Sequence, residues 1–218
     1  TLKHFPAMQV VECRGKLFMM DCGEGAQLQM RRSGLSFNKM GHVFITHLHG
    51  DHCFGLIGMI STFALLGRTA TLNIFAPEAL GDMLQRRMQM FCRDLGYDVV
   101  FHPVDTTRHQ VIYDDRSLQV ETIPLEHRMP TCGYLLREKP GLPHIRRDML
   151  DAYHIPVSQI NNIKAGSNWT APNGEVIANE RLTTPADPPR AYAYCTDTRY
   201  LPTLHEHLQG VTTLYHES

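Results

Sequence analysis

A chain of 218 residues, 43 % apolar and 20 % charged, is sized and balanced for one large domain with a substantial core. No apolar run approaches the roughly 20 residues that span a bilayer, no leader-like segment opens the chain, and a net charge of -1 does not by itself announce a nucleic-acid binder. Six scattered cysteines without a Cys-x-x-Cys pair read as reduced cytosolic thiols rather than a disulfide framework or a thiolate zinc site.

In chain order, residues 8–12 and 16–21 read as two strands about an Arg14-Gly15 turn. Gly23-Glu24-Gly25 opens a polar helix running through Gln27 to Arg32. A strand over 42–46 leads into a histidine-rich segment, and 53–66 carries a helical apolar pattern at Leu56, Met59, Ile60, Phe63 and Ala64. Residues 72–75 form a short strand, with Pro77 placed to start a helix over 78–95. Strands follow near 97–102, 110–114, 117–124 and 131–136. Strands and helices thus alternate, with β-meanders between them, which predicts an α/β fold of two mixed sheets flanked by helices. The stretch 138–190 differs: it holds most of the prolines, few aromatics and one amphipathic segment, Ile145 to Tyr153. A long, weakly patterned insertion of this kind is more often functional than core. Regular structure resumes with a strand over 191–195 that ends at Thr196-Asp197-Thr198.

The histidine-rich segment, Thr46-His47-Leu48-His49-Gly50-Asp51-His52, carries the chemistry. Imidazole and carboxylate are ligands for borderline-hard divalent metals such as zinc. In an extended or tightly turning stretch His47 and His49 point the same way. Asp51 and His52 then come around the turn to face an adjacent position. One segment can therefore supply two ligands to one metal and two to another.

His-x-His-x-Asp-His after a strand resembles the signature of the metallo-β-lactamase superfamily of two-metal hydrolases. The wording from Phe44 to Leu56, and Asp21-Cys22-Gly23-Glu24-Gly25-Ala26-Gln27-Leu28-Gln29 before it, is similar to ribonuclease Z, the endonuclease family that matures tRNA 3′ ends. Leu214-Tyr215-His216-Glu217-Ser218 resembles the start of that family's His-Glu-Ala-Thr-like segment. The resemblance implies an αββα sandwich over 1–218, incomplete at both ends, with a protruding tRNA-gripping arm at 138–190. It implies two Zn²⁺ per subunit, with Mn²⁺ as an alternative. His47, His49 and His127 would bind the first ion, Asp51 and His52 the second, and Asp197 would bridge them. A last histidine ligand would lie in a Gly-His-Phe-Ser-like segment past Ser218, leaving this chain weakly or incompletely occupied.

Without the resemblance, His127 after its strand reads as a surface histidine, and Asp197 as a turn or helix-capping residue. Asp21 is expected to support the metal loop by hydrogen bonding, with Gly23 and Gly25 giving a tight turn. By resemblance, Asp51 also accepts the proton of the attacking water. His216, its ring oriented by Glu217, would protonate the leaving 3′ oxygen or stabilise its charge. The products would be a tRNA 3′-hydroxyl and a trailer 5′-phosphate. In the arm, Arg146, Arg147 and Lys164 are candidate phosphate contacts, while charge alone is equally consistent with a solvated helix face. Arg31, Arg32, Arg86 and Arg87 could add contacts or be plain surface. Family members act on precursor tRNA as cytoplasmic homodimers. The rival readings are a small-molecule phosphodiesterase or arylsulfatase on the same fold, and a non-catalytic RNA-binding module.

Overall fold

The computed structural model describes residues 5–217; Thr1–His4 and Ser218, the last residue of the His-Glu segment, lie outside them. The chain begins with strands β1 (Gln9–Cys13) and β2 (Lys16–Met20), then helix α1 (Ala26–Arg32) and β3 (Met40–Phe44). Two helices follow, the short α2 (Gly50–Cys53) and α3 (Gly55–Leu65), and then β4 (Leu72–Pro77) and α4 (Ala79–Phe91). Next come β5 (Val99–Val104), β6 (Val111–Asp114), β7 (Leu118–Leu125) and β8 (Thr131–Glu138). The following stretch is built of short pieces: β9 (His144–Ile145), α5 (Arg147–Ala152), α6 (Ile160–Lys164), β10 (Trp169–Thr170), β11 (Val176–Ile177), α7 (Asn179–Leu182) and β12 (Thr183–Thr184). β13 (Ala191–Cys195), α8 (Leu204–His207) and β14 (Thr213–His216) close the described chain.

The chain divides into two compact units, Thr1–Glu138 with Arg190–Ser218, and Lys139–Pro189. In the first, one five-stranded sheet runs β1-β2-β3-β4-β5 and the other β14-β13-β8-β7-β6. Both are mixed. The β2-β3-β4-β5 pairings are parallel and β1-β2 antiparallel, while β13-β14 is parallel in an otherwise antiparallel sheet.

Period-2 alternation along β2 and β3 explains how these strands are buried on both faces. Leu17, Met19 and Val43 face α3 and α4, joining Leu56, Met59, Ile60, Phe63 and Leu84. Phe18, Met20 and Phe44 face the second sheet, where they meet Val120, Cys132, Tyr134 and Tyr194. The outer face of the second sheet packs Ile123, Leu135 and Ala193 against Leu204, which opens α8. Helix, sheet, sheet, helix is the layering that the alternation predicts.

Three local expectations shift. Pro77 ends β4, past the reach of its β3 partner, rather than starting the next helix, which runs from Ala79 to Phe91 instead of to 95. That helix stops because Cys92 leaves helical dihedrals and Asp94 turns left-handed. The third strand ends at Phe44, two residues early, because the amide of Thr46 turns to a side chain instead of a neighbouring strand. The second unit has its own small core of Ile155, Ile163, Ile177 and Leu182, against which Ile145, Leu150, Tyr153 and Trp169 pack. Its amphipathic segment is helical only over Arg147–Ala152.

Candidate metal centre

Parallel pairing of β2 with β3 aligns Met20 with Phe44, so both strands finish at the same edge. The carboxyl ends of parallel strands are where such sheets present functional loops. Asp21 leaves β2 in the left-handed region (φ 57°) with its side chain fully buried. A non-glycine residue held there, at the end of a buried strand, marks a position over-determined by its surroundings.

Those surroundings are hydrogen bonds. The Thr46 amide donates to Asp21 Oδ1 at 2.8 Å, and the Thr46 hydroxyl lies 3.0 Å from each carboxylate oxygen. His52 Nδ1 donates to Asp21 Oδ2 at 2.7 Å, and the Tyr194 hydroxyl reaches the same oxygen at 3.1 Å. A carboxylate accepts only, so His52 carries a proton on Nδ1, and in its neutral form turns a bare Nε2 toward Asp197. The Thr46 hydroxyl, having given its one proton to Asp21, can only accept from His47 Nδ1, 2.9 Å away. His47 Nε2 is therefore also bare. One buried aspartate thus sets the tautomer of two imidazoles, the supporting role that metal-binding histidines require.

Backbone contacts press the loop into place. Cys22 donates to the His52 carbonyl at 2.7 Å, Gly55 to the Cys22 carbonyl at 2.9 Å, and Ala7 to the Asp51 carbonyl at 3.0 Å. A Cβ on Gly23 would lie 2.3 Å from the Asp51 carbonyl oxygen, and one on Gly55 2.0 Å from that of Gly23. Close approach, rather than turning, is what Gly23 supplies; Gly25 does turn, with φ 81°.

The predicted donors converge. His47, His49, His127 and Asp197 offer ligand atoms all within 4.8 Å of one another. His49 Nδ1 lies 3.0 Å from His47 Nε2 and 3.4 Å from His127 Nε2. His127 comes from the loop joining β7 to β8, and Asp197 follows β13 with φ 50°. Asp197 Oδ2 lies 3.1 Å from His47 Nε2 and 3.1 Å from His52 Nε2, while Asp51 Oδ2 is 3.6 Å from that same His52 nitrogen. One carboxylate oxygen thus stands between a three-histidine group and an Asp-His pair. Nitrogen and oxygen donors without a thiolate suit divalent cations of the zinc class.

Electrostatics shift the two buried histidines in opposite directions. Burial, helped by His52, His49 and His127, pushes the His47 imidazole down to about 3, so it stays neutral with its lone pair available. His52 feels the same burial, but the hydrogen bond and charge of Asp21 outweigh it and raise it. Burial and the nearby Asp21 and Asp51 carboxylates push the neighbouring Cys53 thiol up to about 11, keeping it protonated.

His216 sits on β14 in register with Cys195, two residues before Asp197. Glu217 follows the strand, and its Oε2 accepts the Thr196 hydroxyl at 2.8 Å, so that oxygen is turned to Thr196 rather than to the His216 ring. Arg146, Arg147 and Lys164 lie in the second unit, where Arg146 pairs with Asp148 at 2.8 Å and Arg147 opens α5 exposed to solvent. Three residues at the centre escaped the sequence reading: Thr46, Tyr194 and Arg128, whose Nε lies 3.3 Å from His49 Nε2. Thr46 and Arg128 each adjoin a predicted ligand. Tyr194, 173 residues from Asp21, left no local signal.

Comparison with known proteins places this geometry. Residues 1–140 match the family described as Anti-Pycsar protein Apyc1. The chain is similar to the ribonuclease Z of Bacteroides fragilis (strain YCH46), at 56 % identity over 218 residues, which is 100 % of this chain and 72 % of that protein. It is similar in structure to human tRNase Z, short form, at a TM-score of 0.54 and 29 % identity, covering 61 % of each chain. A metallo-beta-lactamase fold protein, YhfI from Bacillus subtilis, matches 98 % of this chain and 64 % of its own at a TM-score of 0.54 and 13 % identity, a likeness of fold alone.

Proposed function

The chain belongs to the ribonuclease Z family over its whole length, and over residues 1–140 to the family described as Anti-Pycsar protein Apyc1; from that premise we propose that it is a metal-dependent endoribonuclease that removes the 3′ trailer from precursor tRNA. The observation that carries the reading is Asp197 Oδ2, placed 3.1 Å from the bare nitrogen of His47 and 3.1 Å from that of His52. His47, His49 and His127 would hold one Zn²⁺ or Mn²⁺, Asp51 and His52 a second, with Asp197 shared. Such a pair supplies activation of the attacking water and neutralisation of charge on the phosphate oxygens.

The chain's own residues then handle protons and binding. Asp51 has a side chain about two-thirds exposed (65 %), which leaves an oxygen able to take the proton of the incoming water. As water bonds to phosphorus the P–O3′ bond breaks, and His216 would deliver a proton to the departing 3′ oxygen. The products are a tRNA 3′-hydroxyl and a trailer 5′-phosphate. Arg147 and Lys164 in the second unit would bind tRNA phosphates, giving affinity that is salt-dependent and blind to sequence.

The homodimer implied by the family has a candidate surface on α4 and the residue joining α2 to α3. Phe54, Met90 and Phe91 are 68 %, 62 % and 61 % exposed, more apolar surface than a solvated helix pair needs. Among the described residues no helix is long and apolar enough to cross a membrane. A precursor-tRNA substrate would place the enzyme in the cytoplasm.

The test is to incubate the full-length protein with Zn²⁺ or Mn²⁺ and a 5′-labelled precursor tRNA, then map the product ends. A single cut after the discriminator base, leaving a 3′-hydroxyl, is expected. No cut, beside brisk turnover of a small phosphodiester, would favour the small-molecule hydrolase. The Apyc1 match stops at residue 140, two residues into the second unit, so it bears on the loops that carry His47–His52 and His127 and neither on that unit nor on Asp197.

A further inference from the structure

Arg128 is the residue at this centre that the mechanism above does not use. It follows His127 on the loop between β7 and β8, and its side chain is exposed. Its Nε–H donates to His49 Nε2 at 3.3 Å. That bond begins a chain in which every proton has one direction. With Nε2 accepting, His49 carries its proton on Nδ1, from which it donates to His47 Nε2 at 3.0 Å. His47 Nδ1 donates to the Thr46 hydroxyl at 2.9 Å, and that hydroxyl donates to Asp21.

Coordination of a divalent ion by His49 Nδ1, the atom facing His47 and His127, requires a lone pair there. The ring's single proton then belongs on Nε2, and Arg128 Nε–H would face a second donor. Two donors at 3.3 Å repel, so the guanidinium must turn from the ring edge toward an acceptor. Its tether, one residue from a ligand, keeps it at the mouth of the centre. Asp51 and Asp197 are already drawn toward metal. Arginine's planar fork of N–H groups matches the oxygens of a phosphate.

We propose that Arg128 is a substrate-binding residue that ion coordination at His49 releases to contact a non-bridging oxygen of the phosphodiester held at the centre. The inference rests on the nuclease reading for its natural substrate, but the ligand it specifies is a phosphate of any diester at these ions. It differs from the arm contacts of Arg147 and Lys164, which serve RNA alone.

The test uses the full-length protein and its R128A and R128K variants, loaded with Zn²⁺ and freed of excess. Zinc content is measured by elemental analysis, inorganic phosphate affinity by calorimetry, and kcat/KM on bis-p-nitrophenyl phosphate and on precursor tRNA. R128A should keep its zinc, bind inorganic phosphate about tenfold more weakly, and lose about 10- to 100-fold in kcat/KM on both substrates. R128K should recover part of each loss, because charge is restored without the fork. Phosphate affinity and both rates within twofold of the parent would overturn the proposal. So would a loss of rate that tracks a loss of zinc, which would make Arg128 a support for His49. If the parent leaves tRNA uncut yet turns over the small diester, the nuclease reading fails, and Arg128 is still judged on the small diester and on phosphate affinity.

Discussion

The metal loops and the Lys139–Pro189 unit are built in opposite ways. In the loops that would hold the metals, side chains are locked by partners at several levels. His47 is fully buried and its tautomer is set through Thr46, while Asp21 takes bonds from His52, Thr46 and Tyr194. The second unit has only four buried apolar residues at its centre, strands of two residues, and helices of four to six. Its Trp169 indole nitrogen is buried without a partner. The contrast follows from the work each would do. Ligands must be held within tenths of an ångström, whereas phosphate contacts through long cations tolerate looseness.

This contrast can be broken at either end. The largest effect is expected from Asp51→Ala, which removes a donor and proton acceptor whose side chain is mostly exposed. Cleavage of precursor tRNA should fall about 100- to 10,000-fold with the melting temperature little changed; cleavage at the parent rate would remove Asp51 from the mechanism. Next, Asp21→Asn retains a residue tolerant of the left-handed backbone but deletes the charge that fixes His52. Metal affinity, read by titration against a chelator, should weaken about 10- to 100-fold. Unchanged affinity would mean that the buried hydrogen bonds serve only the fold.

At the other end, Arg147→Ala and Lys164→Ala should each weaken precursor-tRNA binding severalfold and lower the salt dependence by about one counterion. Turnover of bis-p-nitrophenyl phosphate should stay at the parent level. Equal loss on both substrates would give the unit a structural role instead.

The smallest effect tests the turn between β6 and β7, which belongs to neither region. Burial alone would raise the Asp115 carboxyl, but Lys16, the Leu118 and Ser117 amides and the Tyr113 hydroxyl outweigh it and hold it well below the usual carboxylate range. A depressed carboxyl stabilises the fold above its unfolded value near 4, and that contribution is lost as pH falls below it. Asp115→Asn should therefore cost about 1 kcal/mol at pH 7 and progressively less in acid, measured by urea melts. An equal cost at pH 3 would assign the effect to shape rather than charge.

How legible the molecule was depended on how local each signal is. His47, His49, Asp51 and His52 stand in six consecutive residues, and their geometry was readable from spacing, although the turn expected around Asp51 and His52 is a helical one, Gly50–Cys53. His127 and Asp197 were ambiguous by themselves, because single polar residues after strands are common. Only the resemblance singled them out, and only the folded chain brings them beside His47. The sandwich was legible because strands and helices alternate along the chain with β-meanders between them; that Phe18, Met20 and Phe44 take one face of the first sheet and Leu17, Met19 and Val43 the other is seen only in the fold. Tyr194 was not, since its bond to Asp21 crosses between sheets. Glu217 was assigned to its chain neighbour His216 because only adjacency was visible; its bond to Thr196 joins residues 21 positions apart.

The central proposal is that Asp197, whose Oδ2 lies 3.1 Å from both His47 and His52, would be shared by two metal ions. Crystals of the full-length, zinc-loaded protein, measured above and below the zinc absorption edge, would count and place the ions directly. Two anomalous peaks about 3.5–4 Å apart, one among His47, His49 and His127 and one beside Asp51 and His52, are the predicted result. A single peak at the three histidines, with Asp51 and His52 making no contact to it, would contradict the account.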